Sequence, residues 1–257
     1  MLSSIWSYRH LAIFLTRVQY KLRFRQSSIG ILWAVLVPLA MLGVGAIVFG
    51  RVAKVDTGAT PYALFAAASL PAWVFFANSL VFGIPSLGSY PAMVQRFAFP
   101  RATIPLSMVG ASLLDFGIAL GIFGVFAFAI GDGLPITVLW VPVLVLIELP
   151  LVAGMVLLGS ALNVFARDFR LAVPLVTQLL LFITPVMYPL DSADGRLRTF
   201  FLLNPMTGIV ESFRNVLVIG GAPSPGILAT SLVGAVLALT VGMWYFDATE
   251  SRFADVI

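Results

Sequence analysis

Charged residues are so sparse along this chain that they leave six long stretches between them: 26–50, 57–95, 102–131, 133–166, 171–190 and 215–246, holding 25, 39, 30, 34, 20 and 32 residues. Only Asp115 and Glu148 interrupt these stretches. Each is long enough for a helix that crosses the hydrocarbon core, which takes about 20 residues. Prolines and glycines trim them to predicted helices at 29–50, 62–84, 103–130, 136–166, 171–190 and 227–246. Pro71, Pro142, Pro150, Pro174 and Pro185 fall within these spans, where neighbouring helices or water can satisfy a freed carbonyl, so kinks are expected. Five or seven crossings stay open as alternatives, because stretch 57–95 is long enough to hold a re-entrant piece. Ahead of the first span the pattern changes to one of period 3.6. Leu11, Phe14, Leu15, Val18 and Leu22 share one helical face, while Arg9, Thr16, Arg17, Gln19 and Arg23 take the other. This predicts an amphipathic helix at the membrane surface, ending by Gln26 to Gly30.

Composition agrees with the pattern. Hydrophobic residues make up 60% of the 257 positions and charged ones 10%, with a mean hydropathy of +1.05, against roughly 25% charge in a soluble domain. No segment outside the stretches is long enough for an independent fold, so a single all-helical membrane domain over 1–257 is expected. Its parts are a surface helix at 3–28, five spans within 29–190, outer helices at 191–226, a sixth span at 227–246 and a tail at 247–257. The opening segment has neither a continuous apolar core nor a small-residue cleavage site, so a removable signal peptide is not expected there.

An even number of spans puts both termini on one side. Arg9, Arg17, Lys21, Arg23, Arg25, Arg96, Arg101, Arg167, Arg170 and Arg252 fall on the terminal side, against Arg51, Lys54, Arg196, Arg198 and Arg214 on the other, which favours cytoplasmic termini. These cations flank apolar spans, so anionic lipid headgroups are the expected partners and nucleic acid is not.

Several chemistries are excluded. There is no cysteine and only one histidine, His10, so neither a thiolate nucleophile nor a multi-histidine metal site is available. The two lysines, Lys21 and Lys54, follow no glycine-rich phosphate loop, so no nucleotide-hydrolysing site is expected on this chain. Asp115 and Glu148 each cost roughly 2.5–3.5 kcal/mol to insert at mid-span. The 14 Leu, Ile, Val and Phe side chains of the third span offset that cost, at about 0.3–0.6 kcal/mol each. The two acids suit either interhelical hydrogen bonds or an ion relay, the latter being the alternative of an ion-coupled transporter or channel. Gly117 and Gly121 fit the GxxxG pattern of close helix approach.

Three further segments each carry two readings. The basic N-terminal helix either sets topology or lies at the mouth of a pathway. Between Pro85 and Pro100, a short helix exposing Tyr90, Met93, Val94 and Phe97 either docks a partner or rests on lipid. From Leu197 to Val218, a break at Asn204-Pro205 separates two short apolar helices that either dip back into the outer leaflet or lie on it. Their buried side would carry Ile209, Phe213, Val216 and Leu217, and Glu211 and Arg214 are spaced to pair.

In order along the chain, TRVQYKLRFRQSSIGILWAVLVPL, FPRATIPL, SALNVFARDFR, TPVMYPL and LNPMTGIVESFR resemble the segments of ABC-2 type polysaccharide exporter permeases, the membrane subunits that carry O-antigen, related surface glycans or teichoic acid. The resemblance extends from about Tyr8 to Asp255. It implies a homodimer in the cytoplasmic (inner) membrane with six spans per subunit. It also implies two separate cytoplasmic ABC ATPase subunits, which hold the ATP and Mg, with no cofactor on this chain. The substrate would be a glycan on a lipid diphosphate carrier. By matched position, Arg9, Arg17, Lys21, Arg23 and Arg25 would belong to a gate helix facing the carrier headgroup. Tyr90, Met93, Val94, Gln95, Arg96 and Phe97 would form the coupling helix, with Arg167 and Asp168 in a second turn facing the ATPase. Asn204, Pro205, Glu211 and Arg214 would lie in outer gate helices. Trp33, Phe182 and Tyr188 would line the channel, where sugar faces stack on aromatic rings. Gln95-Arg96 departs from the family pattern of two basic residues, and Glu148 has no counterpart in it.

Overall fold

The computed structural model describes residues 6–25, 27–96, 99–131, 133–192 and 194–256, and every described element is helical. The N-terminal helix α1 runs Arg9–Phe24. It ends where the sequence predicts, before a 3₁₀ turn at Gly30–Leu32, and Gly30 has φ +59°, a left-handed conformation that glycine adopts without strain. The first span joins that turn, α2 (Trp33–Gly45) and a π-helical segment, Ala46–Val52. Then follow α3 (Tyr62–Gly83), two short helices α4 (Ser86–Ser89) and α5 (Pro91–Arg96), and α6 (Thr103–Ile130). Next come α7 (Val141–Phe165) and α8 (Phe169–Ile183). The chain closes with α9 (Gly195–Leu203), α10 (Pro205–Arg214), α11 (Pro225–Thr249) and α12 (Phe253–Val256).

Among the described residues, five helices are long and apolar enough to cross a membrane: Gly30–Val52, Tyr62–Gly83, Thr103–Ile130, Ile136–Phe165 and Pro225–Arg252. The predicted fifth span is shorter. Its helix α8 stops at Ile183 and is 15 residues long. Pro185 is the cause: a residue before proline is pushed out of the helical region, and Thr184 sits extended at φ −93°, ψ 129°. Pro71, Pro150 and Pro174 lie inside helices as expected, whereas Pro142 sits at the start of α7, where its missing N–H costs nothing.

The bundle is built around α3. In its apolar stretch 83% of the residues are buried, against 17% for the first span and 17% for the last. The run Ala66-Ala67-Ala68-Ser69 gives it a slim waist, so α6, α7, α8 and α10 can all approach it. The closest crossing is α7 on α11. A Cβ on Gly154 would collide with the backbone of Ala238, and one on Gly242 with the backbone of Gly154. The Gly117 and Gly121 pair has no atom of the described residues within 4 Å of either missing Cβ, so that GxxxG marks no close helix approach among them.

The end carrying α1 and the C-terminus is the basal end. There Leu87, Val94, Ile104, Leu157, Phe246 and Phe253 form a second apolar cluster. The C-terminal segment is pinned beneath it: Glu250 accepts from the Arg101 backbone N–H at 2.8 Å, and the Arg101 guanidinium donates to the Glu250 carbonyl.

Candidate functional site

The N-terminal helix packs with residues of both its faces. Leu15 and Gln19 are its buried residues, Thr16 and Arg23 are part-buried, and Phe14 and Leu22 of the expected stripe are exposed. The inward polar residues meet polar partners. Thr16 Oγ1 donates to the Ser107 carbonyl at 3.2 Å, Gln19 Oε1 accepts from Tyr90 Oη at 2.6 Å, and Arg23 Nη1 reaches Asp115 Oδ2 at 2.5 Å. Thr16 meets the start of α6 and Arg23 its middle, so α1 runs alongside the basal half of that span, in the same direction. Gly110 permits the approach, since a Cβ there would meet Thr16 Oγ1 at 2.7 Å.

Asp115 is 3% exposed, and Arg23 is not its only partner: Asn78 Nδ2 on α3 donates to the same oxygen at 2.8 Å. The Arg23 guanidinium also stacks on Phe82, 3.7 Å from the ring centroid, a cation–π contact that holds a desolvated charge. Nearby, burial and then the negative Asp115 push the Tyr20 hydroxyl up to about 12, so it stays protonated at physiological pH. Arg23, Asp115 and Asn78 open onto a cleft of about 460 Å³ walled by Trp33, Trp73 and Phe82. Sequence reasoning picked out Arg23, Asp115 and Trp33 separately but missed that they share a cleft. It also missed Asn78, Gln19, Trp73 and Phe82, although Asn78 stands out as an amide within an otherwise apolar stretch. Arg17 and Lys21 border a neighbouring hollow with Arg25, and Arg9 folds back onto the Trp6 carbonyl.

The short basal helix is described over Pro91–Arg96, within the expected segment. Val94, expected on an exposed patch, is 1% exposed and packs in the basal cluster, with Tyr90 and Met93 against it. Gln95 is exposed. The Arg96 side chain and Phe97 lie outside the described residues. Arg167 and Asp168 are exposed in the α7–α8 turn. Arg167 and Arg170 border a basal hollow of about 400 Å³ with Gly88, Asn163 and Val256.

At the distal end, the two short helices are present where the sequence places them. Asn204 caps α10 by accepting from the Met206 N–H, with Pro205 in the first turn. Ile209, Phe213, Val216 and Leu217 are buried as expected. Glu211 and Arg214 pair at 2.5 Å. Arg214 is also tied to the Pro185 and Val186 carbonyls, at 2.8 and 3.2 Å, and stacks on Phe65 at 3.9 Å. It therefore fills the gap that Pro185 makes in the fifth span. Phe182 is exposed, while Tyr188 turns back to donate to the Phe182 carbonyl at 2.6 Å. Neither shares the cleft with Trp33. Glu148 is fully buried, and neither carboxylate oxygen has a hydrogen-bond partner among the described residues, unlike the hydrogen-bonded reading weighed for it. No group of three or more His, Cys, Asp or Glu suited to a metal occurs among the described residues.

Residues 10–218 match the family model described as ABC-2 type transporter. The chain is 28% identical to the O-antigen export system permease protein RfbA of Myxococcus xanthus over 259 residues, covering 100% of this chain and 99% of that protein. It is 27% identical to a permease of the same name from Klebsiella pneumoniae over 248 residues, covering 96% of this chain and 95% of that protein.

Proposed function

The chain belongs to the ABC-2 type transporter family, and from that premise we propose that it is the membrane subunit of an ATP-driven exporter of a lipid-linked surface polysaccharide of the O-antigen kind. It is an integral membrane permease subunit and not itself an enzyme. In this reading two copies assemble in the inner membrane with both termini cytoplasmic, and each crosses six times, α8 and the extended residues after it making the fifth crossing. Two cytoplasmic ABC ATPases bind ATP and Mg and dock at the basal end, against the short helix at Tyr90, Met93, Gln95, Arg96 and Phe97 and the turn at Arg167 and Asp168. The polymer leaves along the dimer interface, which the α9 and α10 segment closes from outside.

One observation carries the reading: the basic helix α1 is joined directly to the basal loop, through Tyr90 and Gln19, and to a mid-span acid, through Arg23 and Asp115. Movement of the loop by a nucleotide-driven partner is thereby passed to the helix that borders the cleft. The unpaired cations Arg17, Lys21 and Arg25 suit the diphosphate of a lipid carrier, and Trp33 and Trp73 suit its first sugar. Glu148 keeps no such connection, and Asp115 is committed to Arg23 and Asn78, so an ion relay through the two acids lacks a path.

The test is reconstitution in liposomes with an ABC ATPase subunit that co-purifies with this chain. ATP hydrolysis should rise when the lipid-linked glycan is added, and replacing Met93 or Gln95 with a charged residue should remove that rise without reducing membrane insertion. Transport by this chain alone, driven by an ion gradient with no nucleotide present, would overturn the reading.

A further inference from the structure

We infer that Asp115 is a specificity-determining residue: its carboxylate stands in for a ligand anion on Arg23, holding α1 against α6 and refusing singly charged headgroups, until a diphosphate takes the arginine away. The inference rests on the carrier reading above and adds a selectivity step to it.

Four observations carry it. Arg23 is the one cation of α1 in an ion pair among the described residues; Arg17, Lys21 and Arg25 have none. The pair is a contact between helices, 92 residues apart in sequence, so breaking it loosens the end of α1 beyond the Thr16 and Gln19 contacts. Arg23 and Asp115 both border the cleft, so a ligand reaches the pair without any rearrangement of the core. Finally, Asp115 Oδ1 accepts no hydrogen bond, while Oδ2 holds both donors. The carboxylate is held on one side only and can be peeled from the arginine.

The exchange sorts anions by charge. A phosphodiester headgroup offers Arg23 one negative charge in place of another and leaves a buried carboxylate without its cation, so the swap is unfavourable. A diphosphate presents one phosphate to Arg23 in the forked geometry that guanidinium favours. Its second phosphate is left for Arg25, which borders the adjoining hollow with Arg23. Only the doubly charged group gains a contact to offset the carboxylate it strands. In a bilayer full of singly charged phospholipids, an open arginine at this place would be occupied continuously.

The chain has no cysteine, so one introduced at the exposed Leu22 carries a spin label on that end of α1. The full-length protein in phosphatidylglycerol-containing nanodiscs is titrated with farnesyl diphosphate and with farnesyl monophosphate blocked as its methyl ester, a phosphodiester with a single negative charge, reading label mobility and binding together. Wild type should bind the diphosphate, release the label as it does so, and ignore the monophosphate. D115N should show a mobile label without ligand, bind the diphosphate about tenfold more tightly because a charged competitor has become a weaker neutral one, and accept the monophosphate. A purely structural Asp115 predicts the opposite sign, with weaker binding on its removal. N78A is a second variant should D115N assemble poorly. Relieved of the competing amide, the carboxylate grips Arg23 harder, so diphosphate affinity should fall; a rise overturns the inference. Unchanged discrimination in D115N, with wild type still binding the diphosphate, sinks this inference and leaves the carrier reading standing on the other cations. Failure of every form to bind the diphosphate sinks both.

Discussion

Two arginines, one at the distal end of the bundle and one at mid-span, are packed with a carboxylate and an aromatic face, yet they are built for different purposes. Arg214 at the distal end takes its acid from its own helix, three residues away, and its Nη2 donates to the Pro185 and Val186 carbonyls. It is 4% exposed and closes a break in the main chain. Arg23 at mid-span takes its acid from a different helix, donates to no carbonyl among the described residues, and opens on a cleft. Tied to its own helix and to the main chain, the first is a rivet, although its buried Nε has no partner among the described residues. The second has one partner that another anion can replace. The difference teaches that a buried ion pair acquires a switching role from its exits, and burial alone does not supply one.

Substitution should separate them in graded fashion. Arg214→Gln strands Glu211 and two carbonyls at once and should cost about 3–5 kcal/mol, the usual price for removing one partner of a buried pair. It should be seen as loss of the monodisperse protein on heating in detergent, and adding Glu211→Gln should not restore it, because the carbonyls stay bare. Arg23→Gln leaves only Asp115 in need, beside a cleft that admits water, so about 1–3 kcal/mol is expected. The double variant with Asp115→Asn should recover most of that in the same melting assay. If both doubles recover equally, the contrast between the two sites is wrong. Tyr90→Phe removes a single hydrogen bond to Gln19 and should cost about 1 kcal/mol in melting, while lowering transport-coupled ATP hydrolysis out of proportion to stability. Arg198→Ala, which breaks the exposed pair with Asp191, should change melting by about 0–1 kcal/mol. A larger effect there would mean that α9 is covered in the assembly.

How far these sites were legible in sequence follows the range of the interactions. Arg214 and Glu211 sit one helical turn apart, and spacing alone predicts their pairing. The span boundaries are similarly local: helices begin and end near the glycines, prolines and charges that bracket each uncharged run. The exception, the early end of α8, is local too, since Pro185 lies inside an uncharged run but still displaces the residue before it. Arg23 is different. Its acid, its amide neighbour and its ring come from Asp115, Asn78 and Phe82, and no periodicity in residues 9–25 points to them. The same gap explains why the partners of α1 could not be read from its pattern. An apolar stripe marks what avoids water, but in a helix flanked by lipid and protein the stripe can turn outward, while Thr16, Gln19 and Arg23 meet polar groups on the bundle. Val94 shows the reverse. It reads as an exposed apolar docking residue until Phe253, nearly at the other end of the chain, closes the cluster around it. Among glycines, the GxxxG spacing at Gly117 marks no close helix approach among the described residues, whereas Gly154 and Gly242, on separate helices, carry the tightest crossing.

That crossing has a mechanical consequence. At Gly154 and Gly242, with backbone against backbone, no side chain lies between α7 and α11 to rotate and relieve a change in angle, so the two helices are held there as one splint. Any change in the spacing of the helices must then be accommodated along the sparsely packed first span and α8, whose outward faces are exposed.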